Sequence, residues 1–175
     1  MWPIIPIWRK IMYKSETYGK LNIEDIPDKL LRFYDRVKEY DSPVQVIVGT
    51  DSQNFSDTKI VNVVATVCEG HGGIYFYQIN HVDRINDIRQ KLYTETGMSL
   101  EAADTILKAI EADRKYDSLY ENATFTIHVD AGRSENGKTK ELIPAIVGWI
   151  KSQGFECEIK PDSFVASTIA DRISK

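Results

Sequence analysis

The sequence predicts an α/β fold in which a five-stranded mixed sheet is covered by helices. Three observations predict it. The run Val44-Gln45-Val46-Ile47-Val48-Gly49-Thr50 is rich in β-branched residues and nearly all apolar, as a central strand buried on both faces requires. Two more strand-like runs, Ile60 to Val67 and Ile74 to Val82, follow at short spacing, and an antiparallel meander is the simplest way to join them. The last two strand-like runs, Phe125 to Val129 and Glu156 to Lys160, alternate with segments of helical period. Each should therefore run parallel to its neighbour through a right-handed crossover.

Taken in order, Ile23 to Tyr40 reads as a helix. Pro27 suits its first turn, Leu30, Leu31, Tyr34 and Val37 share one face, and Asp41-Ser42-Pro43 stops it. Strand one, Val44 to Thr50, follows. Residues Asn54 to Thr58 are turn formers, and strand two is Ile60 to Val67. Glu69-Gly70-His71-Gly72-Gly73 turns the chain into strand three. Arg84 to Tyr93 reads as a helix interrupted near Gly97. Ser99 then suits the N-cap of a second helix, Leu100 to Lys115, with Leu100, Ala103, Ile106, Leu107 and Ile110 as the buried stripe. After strand four, Thr139 to Lys151 is helical and ends at Gly154. Asp162 then follows strand five and suits the cap of a closing helix, Ser163 to Ile173.

The 175 residues favour one domain, able to bury roughly 70% of its unfolded surface. A content of 42% hydrophobic and 27% charged residues is that of an ordinary globular protein, and no apolar run is long enough to span a membrane. Cys68 and Cys157 sit in strand-like runs and read as core residues of a reducing, cytoplasmic compartment; no Cys/His cluster suggests zinc. The net charge of -4 argues against a strongly basic nucleic-acid binder, but acids of a metal site would contribute to it. The stretch Met1-Trp2-Pro3-Ile4-Ile5-Pro6-Ile7-Trp8 lacks the layout of a signal peptide. Either Met12 is the true start or residues 1–22 form a loose arm, with the domain running from 23 to 175.

Carboxylates stand where these elements end. Asp51 follows strand one and Asp130 follows strand four. Charged groups are almost never buried without a partner, and two on neighbouring strands repel unless a cation lies between them. If strands one and four are adjacent and parallel, both acids emerge at one sheet edge, where open α/β sheets place ligands. The helical region offers Glu95 or Glu101, six residues apart and so not on one helical face; Glu101 is also what a helix's first turn favours on dipole grounds alone. A fourth acid is Asp162, directly after strand five, or Asp171, roughly 13 Å farther along a helix. Such a set of oxygen ligands suits hard cations such as Mg²⁺ or Mn²⁺, as a two-metal phosphodiester-cleaving site needs. Lys138 and Lys160 are candidate phosphate contacts, and His128 is a core or edge histidine.

The chain resembles the ribonuclease H-like superfamily and, more closely, the YkuK-type family of ribonuclease H-related nucleases. The resemblance rests on Val48-Gly49-Thr50-Asp51-Ser52-Gln53, Lys91-Leu92-Tyr93-Thr94-Glu95-Thr96, His128-Val129-Asp130-Ala131-Gly132 with Lys138-Thr139, and Ile159-Lys160-Pro161-Asp162-Ser163-Phe164-Val165-Ala166-Ser167. It spans the chain from about Ile23 to the end. It implies the strand order 3-2-1-4-5 with strand two antiparallel, and two divalent cations on an acidic set matching Asp51, Glu95, Asp130 and Asp162. It also implies nuclease activity on RNA, an RNA–DNA hybrid or DNA.

Two other readings remain beside this one. Gly132-Arg133-Ser134-Glu135-Asn136-Gly137-Lys138-Thr139 fits the phosphate-cradling pattern G-x-x-x-x-G-K-[ST] between a strand and a helix. Against it, little chain follows for the parallel strands of a nucleotide-binding core, and Asp130 would set a negative charge near the phosphates. The other reading is a ribonuclease H-like module that binds nucleic acid or protein without cutting.

Overall fold

A computed structural model of the chain describes residues 12–132, 137–163, 168–169 and 171–173. In chain order the strands and α-helices are β1 (Met12–Ser15), β2 (Gly19–Asn22), α1 (Ile26–Val37), β3 (Val44–Asn54), β4 (Thr58–Cys68), β5 (Gly72–Val82), α2 (Ile88–Glu111), α3 (Asp117–Asn122), β6 (Ala123–Gly132), α4 (Gly137–Ser152) and β7 (Glu156–Lys160). They form one seven-stranded sheet of order β2-β1-β5-β4-β3-β6-β7.

Its five-stranded centre, β5-β4-β3-β6-β7, is the predicted order 3-2-1-4-5. β4 runs antiparallel to both neighbours, while β3 and β6, and β6 and β7, pair in parallel. The strand count differs. Residues 12–22, where no strand was predicted, form a hairpin whose β1 continues the sheet beside β5 through Lys14 and Tyr77. Each of its strands has four residues, too few for alternation to stand out in the sequence. Its anchor is the fully buried Tyr13, whose hydroxyl donates to Asn62 Oδ1 at 2.6 Å.

Strand alternation divides the core. Val44, Val46, Val48 and Val64 face α1, α2 and α4, which contribute Leu30, Phe33, Ile106, Ile110, Ile146 and Ile150. The other face carries Val61, Val63 and Ala65, against which Ile169 and Ile173 pack from the C-terminal segment. Each fully buried isoleucine contributes roughly 1.5–3 kcal/mol relative to exposure. Cover on both faces is why β3 and β4 read as almost unbroken apolar runs.

Three further expectations are corrected. β3 continues past Asp51 to Asn54, and β6 continues past Asp130 to Gly132, so both acids lie inside strands. Pairing with β4 holds β3 extended through its polar end, which propensity alone would have released as a turn. The helical region is one helix, α2, with Gly97 and Ser99 in its interior. Ser99 is no cap: its hydroxyl lies 2.7 Å from Thr50 Oγ1, fully buried. Tertiary burial outweighs the local cost of about 1 kcal/mol for a mid-helix glycine. Finally, α1 starts at Ile26 after a 3₁₀ turn, Ile23–Asp25, and keeps Pro27 in its first turn. Among the described residues no helix is long and apolar enough to cross a membrane.

The polar groups between sheet and helices form a chain. Tyr13 donates to Asn62, Asn62 Nδ2 donates to Thr50 Oγ1 at 2.8 Å, and Thr50 meets Ser99. Replacing Asn62 with Ala removes two of these bonds and leaves buried partners unsatisfied. The expected loss is about 2–3 kcal/mol of unfolding free energy in urea titration; a change below about 0.5 kcal/mol would mean that the chain does not hold the hairpin.

Candidate metal centre

The parallel register of β3 and β6 runs from Val44 opposite Ala123 to Gly49 opposite His128. Continued by two residues, it sets Asp51 opposite Asp130. The two carboxyls lie within side-chain interaction of each other. Asp51 is half-buried and Asp130 is 24% exposed at its side chain. Burial first, and then the Asp130 charge, push the Asp51 carboxyl up to about 6, while the Ser52 amide and the Lys91 ammonium oppose the rise.

Glu95 lies in α2, 7% exposed, and accepts from Ser52 Oγ at 2.5 Å. Burial pushes its carboxyl up to about 7; the charges of Asp51 and Asp130 add to this, against the Ser52 hydrogen bond and Lys91. Glu95 thus belongs to the same electrostatic cluster. Glu95 and Asp130 line one small cavity with Thr50, Ser99 and His128, and the hydrogen bond from Ser52 holds the Glu95 carboxyl there. Thr50 and Ser52 reach α2 from one face of β3, so Asp51 between them leaves the opposite face, the one its partner Val61 shares with the C-terminal segment. Accordingly, among the described residues no three carboxylate, imidazole or thiol groups converge as a ready-made ion cage.

The other candidate acids are exposed. Glu101, six residues along α2, is exposed, as expected of a residue off the Glu95 face. It lies mid-helix, so the first-turn explanation for it does not apply. Asp162 follows β7 and is exposed, its amide bonded to the Ile159 carbonyl at 2.9 Å. Asp171 is exposed in the segment that packs Ile169 and Ile173 on the sheet. Residues 164–167, the end of the quoted tail, and 133–136, the middle of the glycine-rich loop, lie outside the described residues.

Two cations attend the acidic pair. The Lys160 ammonium sits 3.0 Å from Asp130 Oδ1. A Cβ added at Gly132 would stand 2.8 Å from the Lys160 Cβ and 2.9 Å from its carbonyl oxygen, so only glycine lets β7 come this close. Lys91, one helical turn before Glu95, acts on Asp51 and Glu95 together. Lys138, the other predicted phosphate contact, is exposed in the first turn of α4. Ser52 and Lys91 were quoted in the sequence motifs without a role. Alternation from Asp51 and the i, i+4 spacing to Glu95 are the signals that would have found them. His128 is buried, its Nδ1 has no partner among the described residues, and burial lowers its pKa to about 4, so it is neutral.

A central antiparallel β4, parallel β3, β6 and β7, and an acid on each of two adjoining strands define a class. The chain belongs to the ribonuclease H-like family, whose model matches residues 27–175. Within it the chain is of the YkuK type. It is 32% identical over 171 residues to the uncharacterized protein YkuK of Bacillus subtilis (strain 168), covering 94% of this chain and 97% of that one. Two solved structures of the Mos1 transposase catalytic domain with Raltegravir, one with Mg and one with Mn, are 13% and 14% identical to it. Each has a TM-score of 0.29 and covers 77% of this chain, and the chain spans 58% and 57% of theirs.

The raised acids set a pH dependence. A carboxyl that holds its proton more tightly folded than unfolded contributes stability at low pH, and this is lost as pH rises through the folded value. For Glu95 the window runs from about 4.3, the unfolded value, to about 7. Glu95→Gln, which keeps the Ser52 bond, should therefore gain stability over the wild type as pH goes from 4 to 8 in metal-free buffer, read as a growing difference in Tm. His128 acts in both proteins and cancels. A difference in Tm that stays flat with pH would show that Glu95 is not held protonated by burial.

Proposed function

We propose that the chain is a divalent-metal-dependent nuclease in which Asp51 and Asp130 hold Mg²⁺ or Mn²⁺ against a phosphodiester of RNA, an RNA–DNA hybrid or DNA. The observation that carries this reading is the contact between two half-buried carboxylates on adjoining parallel strands, in a chain of the ribonuclease H-like family. Like charges about 4 Å apart repel by roughly 4 kcal/mol at an effective dielectric of about 20. A hard cation with oxygen ligands relieves this, so the residues present fit the ion. When bound, it would supply Lewis acidity and charge neutralisation at the phosphoryl group.

The chain's own residues do the rest. β3 and β6 orient the two carboxylates, and pairing with β4 holds Asp51 in place. Ser52 holds Glu95 in reserve behind Asp51. The two-ion form of the mechanism needs Glu95 to exchange Ser52 for the site and Asp162 to turn in from the end of β7, with Glu101 and Asp171 as less favourable substitutes. In this reading Lys160 would pass from Asp130 to a phosphate oxygen as substrate arrives, and Lys138 would be a second cation for the phosphate backbone. One observation favours a non-cutting module instead: the Lys160 ammonium already neutralises part of the pair.

Cleavage assays decide between the two. Labelled single-stranded RNA, hybrid and DNA substrates should be cut with Mn²⁺ or Mg²⁺ and left intact in EDTA. Asp51→Asn and Asp130→Asn should each lose at least about a hundredfold in rate, the scale of one transition-state contact. Mn²⁺ should raise the Tm of the wild type and leave Asp51→Asn unchanged. Cleavage that persists in both variants would refute the assignment of the acids, and no cleavage with any divalent ion would favour the binding module.

A further inference from the structure

β6 departs from its ladders at the residue that carries the second acid. Its register with β3 ends at Gly49 opposite His128, and its register with β7 shifts between His128 and Gly132. Within that shift Val129, Asp130 and Ala131 stand against Ile159 alone. A shift of this kind bends the strand and re-aims a side chain. Asp130 is at its middle, so the direction of its carboxyl depends on what holds the backbone there.

Ser163 holds it. The residue is 1% exposed, and its Oγ donates to the Val129 carbonyl at 2.8 Å. Val129 is itself buried, and a buried carbonyl beyond the regular register needs a partner. The serine is fixed in turn by its own segment. The Ile159 carbonyl accepts from the Asp162 amide at 2.9 Å and from the Ser163 amide at 3.2 Å, and the His128 ring bonds the Ser163 backbone.

Two more contacts bring the same segment against the same stretch of β6. The Lys160 ammonium lies 3.0 Å from Asp130 Oδ1, and a Cβ at Gly132 would meet the Lys160 carbonyl oxygen at 2.9 Å. The end of β7 and the turn after it therefore touch β6 before, at and after Asp130. These contacts are unequal. The Lys160 side chain is 44% exposed, so solvent screens its ion pair. The Ser163 bond is buried, and removing its donor leaves the Val129 carbonyl unsatisfied.

We propose that Ser163 is a positioning residue for the acidic pair: its hydroxyl holds the β6 backbone at the register shift, so that Asp130 faces Asp51 and the two take a divalent cation together. This deepens the nuclease reading and rests on it for the identity of the ion, but it concerns binding rather than cleavage. The test is Mn²⁺ titration of the full chain, followed by the electron paramagnetic resonance of the free ion, which gives both the Kd and the number of sites. Ser163→Ala removes the hydroxyl and little volume. It should raise the Kd at least about tenfold, the scale of losing a group that orients a metal ligand, with the number of sites unchanged. Ser163→Thr, which keeps the hydroxyl, should bind much nearer the wild type than Ser163→Ala does. A merely structural serine would instead lower the Tm or the number of sites and leave the Kd alone. Gly132→Ala probes the same contact without touching the serine. It should weaken binding as well, and the double variant should fall short of the product of the two single effects. The role is overturned if Ser163→Ala keeps the wild-type Kd, if Ser163→Thr binds as weakly as Ser163→Ala, or if Gly132→Ala binds as the wild type does. A Ser163-dependent Kd in a chain that cuts no nucleic acid would uphold the positioning role and sink the nuclease reading. Wild-type Mn²⁺-dependent cleavage and an unchanged Kd in Ser163→Ala would do the reverse.

Discussion

Two carboxylates held against each other by parallel pairing of β3 and β6 are the constraint on which the rest of the site depends. Like charges so close repel. The contact persists because β3 is hydrogen-bonded on both sides, to β4 along its whole length and to β6 along its first half, and because both sheet faces are covered. The stability of the apolar core is what offsets the repulsion. The neighbouring cations reduce it further, with Lys160 from β7 and Lys91 from α2 approaching from different elements.

The sheet acts as a partition as well as a scaffold. Asp51 leaves one face of β3 and Ser52 the other, so residues adjacent in sequence serve opposite sides. Ser52 engages Glu95, and Thr50 engages Ser99, so α2 is tied to β3 at two points two residues apart. The Thr50 tie continues through Asn62 to Tyr13 in the hairpin. Strand, helix and hairpin are therefore in one buried polar network, and displacement of α2 along β3 would break several bonds at once.

Much of this was legible from residue order. The β-branched run Val44 to Val48, the glycine turn at 70–73 and the alternation of later strands with helices specify the central five strands and their directions. The meeting of Asp51 and Asp130 follows from the parallel direction of two strands that carry an aspartate at matching register positions. What was hidden has a common cause. Short strands such as β1 and β2 carry too few side chains to display a period. The single helix α2 hides behind Gly97 and Ser99, which are breakers in isolation and acceptable when the helix is packed. The Lys160–Asp130 contact depends on how closely β7 approaches β6, a distance no sequence pattern encodes.

Gly132 bears on how the glycine-rich segment should be understood. Its missing side chain is required by the passage of Lys160 immediately alongside, whatever the loop after it does. The first glycine of the nucleotide-type signature is thus accounted for by interstrand clearance. A motif scan keyed to glycine spacing would select this segment for a property that has nothing to do with triphosphates.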